Sequence, residues 1–187
     1  MSRFSAVLLA ACGLLTSAAP AQVTNVLPTK LEAFEAQTGT IIIKGTGEIG
    51  SVAVGALTIT VSSKESMDVG TGRKEYGMAI EVAANSQQVW KKVVDYEEMA
   101  SLVNSLNYLS RINYNVTTLP TFVAGHATAS GFRVGAFTSQ RRSSIQFFLE
   151  DHSVNGERIL ITPDQLARFQ LLIEQTKKNL DLLRVPN

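Results

Sequence analysis

Two helix signatures, far apart in the chain, divide it into matching halves and constrain its fold more than any other feature. Asp95-Tyr96-Glu97-Glu98 sets an aspartate three residues before a glutamate, the spacing of a capping box. Met99, Leu102, Val103, Leu106 and Leu109 then recur at helical spacing as far as Ser110. Thr162-Pro163-Asp164-Gln165 repeats the opening with threonine at the N-cap, proline at N1 and glutamine at N3. Leu166, Phe169, Leu172, Ile173 and Leu180 supply the second apolar stripe. Met99, Leu102 and Leu106 align with Leu166, Phe169 and Ile173 at one constant shift. That shift fits an internal duplication. It fits equally the spacing that any two amphipathic helices share, and both readings stay open.

Each helix closes a run of strand-like segments. Thr40–Lys44 is β-branched and continuous, and the glycine-rich stretch 45–50 reads as a turn. Ser51–Ser62 alternates apolar and polar residues with a phase slip at Gly55-Ala56, the mark of a β-bulge. The polar stretch 63–74 reads as a loop. Met78, Ile80 and Val82 form a third strand, Asn85-Ser86 a turn, and Gln88–Val94 a fourth strand. After the first helix, Phe122–Thr128 and Phe132–Thr138 are joined by a hairpin turn at Ala129-Ser130-Gly131. Ser144–Glu150 and Arg158–Ile161 follow, separated by the Asn155-Gly156 hairpin signal. The predicted class is α+β, with mostly antiparallel sheet and about four strands then a helix, repeated twice.

The chain of 187 residues suffices for one sizeable core. Its start carries the parts of a secretory signal peptide: Arg3, the apolar run Phe4–Leu15, and the small-x-small site Ala19-Pro20-Ala21 before Gln22. The run is too short for a transmembrane helix. The expected organisation is a signal peptide over 1–21, a lead segment over 22–37 with a weak helical pattern at Leu31 and Phe34, and a single α+β domain over 38–187. The alternative is a lipoprotein anchored through Cys12, because Leu9-Ala10-Ala11-Cys12 resembles a lipobox. Against it, the apolar run continues past Cys12 through Leu15. Cleavage before Gln22 removes Arg3 and the only cysteine. It leaves basic and acidic residues balanced, since the full chain has 17 and 16. Cysteine nucleophiles and Cys-based metal sites then drop out, and no bulk charge favours nucleic acid or an anionic membrane.

The segments VVDYEEMASLVNSLNYLSRI and ILITPDQLARFQLLIEQTKKNL, with the hairpin residues Gly131–Gly135 between them, resemble exported bacterial proteins of a family without an assigned function. The resemblance covers roughly residues 75–182 and implies export and this fold, but no mechanism. The order of elements is also similar to that of the Whirly and PUR nucleic-acid-binding proteins, a likeness of fold alone.

Candidate chemistry is sparse. Gly45-Thr46-Gly47-Glu48-Ile49-Gly50 matches G-x-G-x-x-G, but a strand follows where a dinucleotide site needs a helix N-terminus. His126 and His152 are the only histidines. They lack the close helical spacing of a metal pair, and His126 falls in phase with Phe122 and Ala124. Glu97-Glu98 is explained by helix electrostatics and Glu150-Asp151 by a strand end. No nucleophile elbow is present. Arg133, Arg141 and Arg142 lie near Phe132, Phe137, Phe147 and Phe148, a mixture that suits a single-strand platform or a core face with solvated arginines. Asn115-Val116-Thr117 fits the glycosylation sequon.

The leading expectation is an exported, non-enzymatic module that binds a partner protein or a small envelope ligand. Arg133, Phe137, Arg141 and His126 are its candidate binding residues. No metal ligand, cofactor or nucleic acid is expected. The alternatives are a small envelope hydrolase using His126 or His152 with acidic residues, and a Whirly-like single-strand binder.

Overall fold

The computed structural model describes residues 27–138, 144–152 and 158–184. The signal segment, Cys12, Gln22, Arg141, Arg142 and the Asn155-Gly156 turn lie outside the described residues. A short helix α1 (Lys30–Glu35) precedes four strands: β1 (Ile42–Val54), β2 (Leu57–Asp68), β3 (Lys74–Ala84) and β4 (Gln87–Asp95). Helix α2 (Tyr96–Leu109) follows. After a single 3-10 turn (Tyr114–Val116) come β5 (Val123–Ala127), β6 (Phe132–Thr138), β7 (Ile145–Asp151), β8 (Arg158–Ile161) and helix α3 (Pro163–Arg184). The strands form two antiparallel sheets, ordered β1-β2-β3-β4 and β5-β6-β7-β8. The predicted α+β order of four strands then a helix, twice, is the observed one. Asn115 and Val116 of the sequon are exposed on the 3-10 turn, and Thr117 is its half-buried C-cap.

Both sheets turn one face inward. Val52, Ile59, Val61, Ile80 and Val82 from the first sheet join Phe132, Val134, Phe147 and Leu149 from the second. Leu102 and Leu106 of α2 and Phe169 and Ile173 of α3 complete the same buried cluster. Trp90 in β4 touches Phe132 in β6, and Phe132 touches Phe169, at centroid distances of 6.2 and 6.1 Å. This chain of rings ties both sheets to α3. The nearly buried Lys92–Asp151 pair, 2.8 Å apart, joins β4 to β7. Removing either partner would take from the other, nearly buried charge its bond across the two sheets. Gly135 lies where β6 is most crowded: a Cβ there would stand 2.4 Å from the Ala124 carbonyl oxygen and 2.6 Å from the Phe148 ring.

The first sheet departs from the predicted boundaries. The glycine-rich stretch 45–50 lies inside β1, and the hairpin turn falls at Gly55-Ala56, where a bulge was predicted. Gly55, at φ +59°, supplies the left-handed backbone that a two-residue turn needs. The bulge sits at Ile49, between Glu48 and Gly50. The predicted loop 63–74 is mostly strand, and β2 continues to Asp68. Its polar residues are not solvated turn residues. Lys64 and Ser66 both donate to Glu35 of α1, at 2.7 and 2.8 Å. Asp68 accepts from the Gly70 amide and the Thr71 hydroxyl and closes the turn that follows.

The lead segment's helical pattern becomes α1, with a complete Thr29–Glu32 capping box and with Leu31 and Phe34 buried on the first sheet. The capping box predicted for α2 is not formed. Asp95 occupies the N-cap but makes no side-chain cap bond to its own helix. Its carboxylate accepts instead from the backbone amides of Lys30 and Leu31, at 2.7 and 2.9 Å, and so caps α1. Glu98 accepts instead from the Ala129 amide at 2.8 Å. The box predicted for α3 is present: Thr162 and Gln165 exchange hydrogen bonds of 2.8 and 3.2 Å.

Candidate functional site

The period-two alternation of β5 sends Phe122, Ala124 and His126 to the inward side and leaves Val123, Gly125 and Ala127 exposed. The α2 helix packs across the inward side. Ser105 flanks the apolar stripe of α2, and its Oγ lies 2.9 Å from His126 Nδ1, with the donor set by the imidazole tautomer. The other ring nitrogen, Nε2, is buried without a hydrogen-bond partner among the described residues. Beside this pair lies a cavity of about 290 Å³ lined by Asn104, Ser105, Tyr108, Leu109, Ala124, Gly125 and His126. Tyr108, 60% exposed, stands at its rim.

Arg133 and Phe137 lie on the opposite face of the same sheet, since β6 sends Phe132, Val134 and Ala136 inward. The fold therefore brings Arg133 and Phe137 together and leaves His126 on the other side. The outward face is organised around Phe148, which is fully buried although it points away from the core. Phe137 packs on it at 6.0 Å, and the Arg158 and Arg133 guanidiniums lie over it at 4.6 and 5.8 Å. Both arginines approach one carboxylate, Glu150 Oε2, at 3.2 and 3.9 Å. Their charge is thus partly spent within the sheet. Arg158 is a member of this cluster that the sequence reading did not single out. Register supplies it, because Arg158 pairs with Glu150 across β7 and β8.

His152 sits past the end of β7, with Nδ1 3.9 Å from Glu150 Oε1. It does not meet His126. The two predicted acid pairs are each divided between different partners. Glu97 accepts from Lys30 Nζ at 2.9 Å, and that bond, the largest influence, holds its carboxyl below the ordinary range. Glu98 holds the turn before β6, while Glu150 and Asp151 engage arginines and Lys92. Among the described residues, no three of His, Cys, Asp and Glu converge to hold a metal ion. No described helix is long and apolar enough to cross a membrane.

A second cavity, of about 350 Å³, opens between the ends of the two sheets and is lined by Val54, Leu57, Trp90, Ile159 and Leu160, with Val89 and Arg158. Its polar groups belong to Arg158 and Trp90, whereas the α2–β5 cavity offers Asn104, Ser105, Tyr108 and His126. Ser105 is the functional candidate that sequence reasoning missed. The available signal was a serine beside the apolar stripe of α2, and only packing sets it against the in-phase histidine. No protein-family model matches the chain, and no curated protein matches it significantly.

Proposed function

We propose that this chain is an exported, non-enzymatic binding module that takes a small ligand in the α2–β5 cavity. The observation that carries the reading is the Ser105–His126 pair at 2.9 Å beside a cavity with Tyr108, Leu109 and Ala124 as its walls. A volume of about 290 Å³ is near the small end for ligand sites, so the ligand is compact. Its apolar or aromatic body rests on Tyr108 and Ala124, and one hydrogen-bonding group meets Ser105, His126 or Asn104. Export rests on the signal-peptide pattern of residues 1–21.

The geometry favours binding over hydrolysis. Ser105 lies within α2, where the surrounding amides belong to the helix and offer no oxyanion donors. His126 has no carboxylate partner among the described residues to orient it as a base. It also favours a small ligand over nucleic acid, since Arg133 and Arg158 share Glu150 instead of forming a basic stripe.

The test combines native mass spectrometry of the protein from its own envelope fraction with an amide-resolved NMR titration using a small-molecule extract of that fraction. The expected result is an added mass, or shifts at Asn104, Ser105, Tyr108 and His126. Either signal should vanish in Ala124→Phe, which fills the cavity, while circular dichroism stays unchanged. A bare chain whose cavity amides do not move in the extract would overturn the reading. A diacylglyceryl chain beginning at Cys12 would replace a free exported protein with an anchored one.

A further inference from the structure

The free edge of β1 carries an independent inference. β1 lies at the margin of its sheet, bonded only to β2 among the described residues, and residues 43–48 are all exposed. An edge of this length usually carries a proline, several lysines or a covering element to prevent pairing with another chain. This one has no proline in 42–54, and its bulge lies only at the far end of the exposed stretch, at Ile49. Ile43 is 53% exposed and Ile41 69%, so the edge also leaves apolar surface uncovered.

We propose that a second copy of this chain pairs with that edge, strand β1 against strand β1, in antiparallel register about a two-fold axis at Thr46. The charge pattern selects the occupant and the register. With Thr46 on the axis, Gly45 comes opposite Gly47 and Lys44 opposite Glu48 of the second copy. Two opposite-charge cross-strand pairs therefore form by symmetry. Lys44, Thr46 and Glu48 share one face by the period of the strand. Glu48 has no ion-pair partner among the described residues, and Lys44 is half exposed although 3.2 Å from Glu35. The glycines let the two backbones approach, and Ile43 comes opposite the bulge at Ile49. The product is one continuous eight-stranded sheet, in which α1, through Glu35, and α3 each pack against β1 of their own copy and leave residues 43–48 exposed.

The experiment is sedimentation equilibrium over a concentration series, with circular dichroism to verify folding. Wild-type chain should show a monomer–dimer equilibrium. Glu48→Lys and Lys44→Glu each set like charges opposite twice and should weaken the dimer about tenfold or more. Mixed in equal amounts, the two variants should associate as wild type does, since each supplies the charge the other lacks. With Cys12→Ser in the background, Thr46→Cys should form a disulfide-linked dimer on mild oxidation, because residue 46 meets itself on the axis. A wild-type chain that stays monomeric at its highest soluble concentration would overturn the proposal. So would a dimer that neither charge variant weakens, or folded variants that fail to pair when mixed. None of these outcomes depends on the α2–β5 cavity.

Discussion

Replacing Asp95 with alanine should loosen α1 and leave the start of α2 intact. Asp95 is buried, and its two oxygens accept from Lys30 N and Leu31 N, at 2.7 and 2.9 Å. A hydrogen bond to a charged acceptor contributes about 1.5–3 kcal/mol, and the lower figure suits Lys30, whose amide water can reach. Loss of both bonds should cost about 3–4.5 kcal/mol. The cost is capped by the free energy of docking α1, because once Leu31 and Phe34 release, the rest of the sheet no longer feels the change. Urea unfolding followed by fluorescence of Trp90, the single tryptophan, reads the global loss. Amide hydrogen exchange reads its location: protection should fall at Lys30, Leu31 and Phe34 and persist at Met99 and Leu102. Asp95→Asn should fall between, since one amide oxygen still accepts while its NH2 faces a donor. A loss below about 0.5 kcal/mol, or faster exchange confined to the first turn of α2, would refute the argument. The second result would mean that Asp95 caps its own helix after all.

Three further outcomes are expected. Gly135→Ala should destabilise the fold by about 3 kcal/mol, since its methyl would meet the Ala124 backbone and the Phe148 ring; chemical denaturation checks this. Ser86→Gly should stabilise by about 0.5 kcal/mol in a thermal melt, because Ser86 holds a left-handed backbone at φ +66° that costs glycine nothing. Burial alone would raise the Glu35 carboxyl, but hydrogen bonds from Lys64, Ser66 and Lys44 outweigh it and hold the carboxyl below its ordinary value of 4.5. The stabilisation from Glu35 is therefore complete above about pH 4.5 and lost as pH falls through the lower folded value. Glu35→Gln should make the acid limb of stability shallower, read by urea midpoints measured from pH 6 downward.

The fold was more legible than the site. The α3 capping box, the Asn85-Ser86 turn and the apolar stripes of both long helices were readable because each involves residues a few positions apart. The boundaries of β1 and β2 were not. Glycines at 45 and 47 read locally as a turn, yet they sit in a strand because β2 offers a complete ladder opposite them. Ser63, Lys64, Ser66 and Asp68 read as loop residues because their partners, in α1 and in the turn beyond, are distant in sequence or invisible to a periodicity argument. At the site, the phase of His126 was readable from Phe122 and Ala124, but its partner on α2 was not.

The amino-acid pattern by itself determined the order of the strands and long helices, the turns at Asn85-Ser86 and Ala129-Ser130-Gly131, and the inward phase of most strands. These follow from backbone preferences and side-chain periodicity, which act over a few residues. Tertiary structure decided which helix Asp95 caps, which carboxylate Arg133 and Arg158 share, and which hydroxyl meets His126. A buried polar group must find a partner wherever the chain brings one, and sequence distance places no limit on that search.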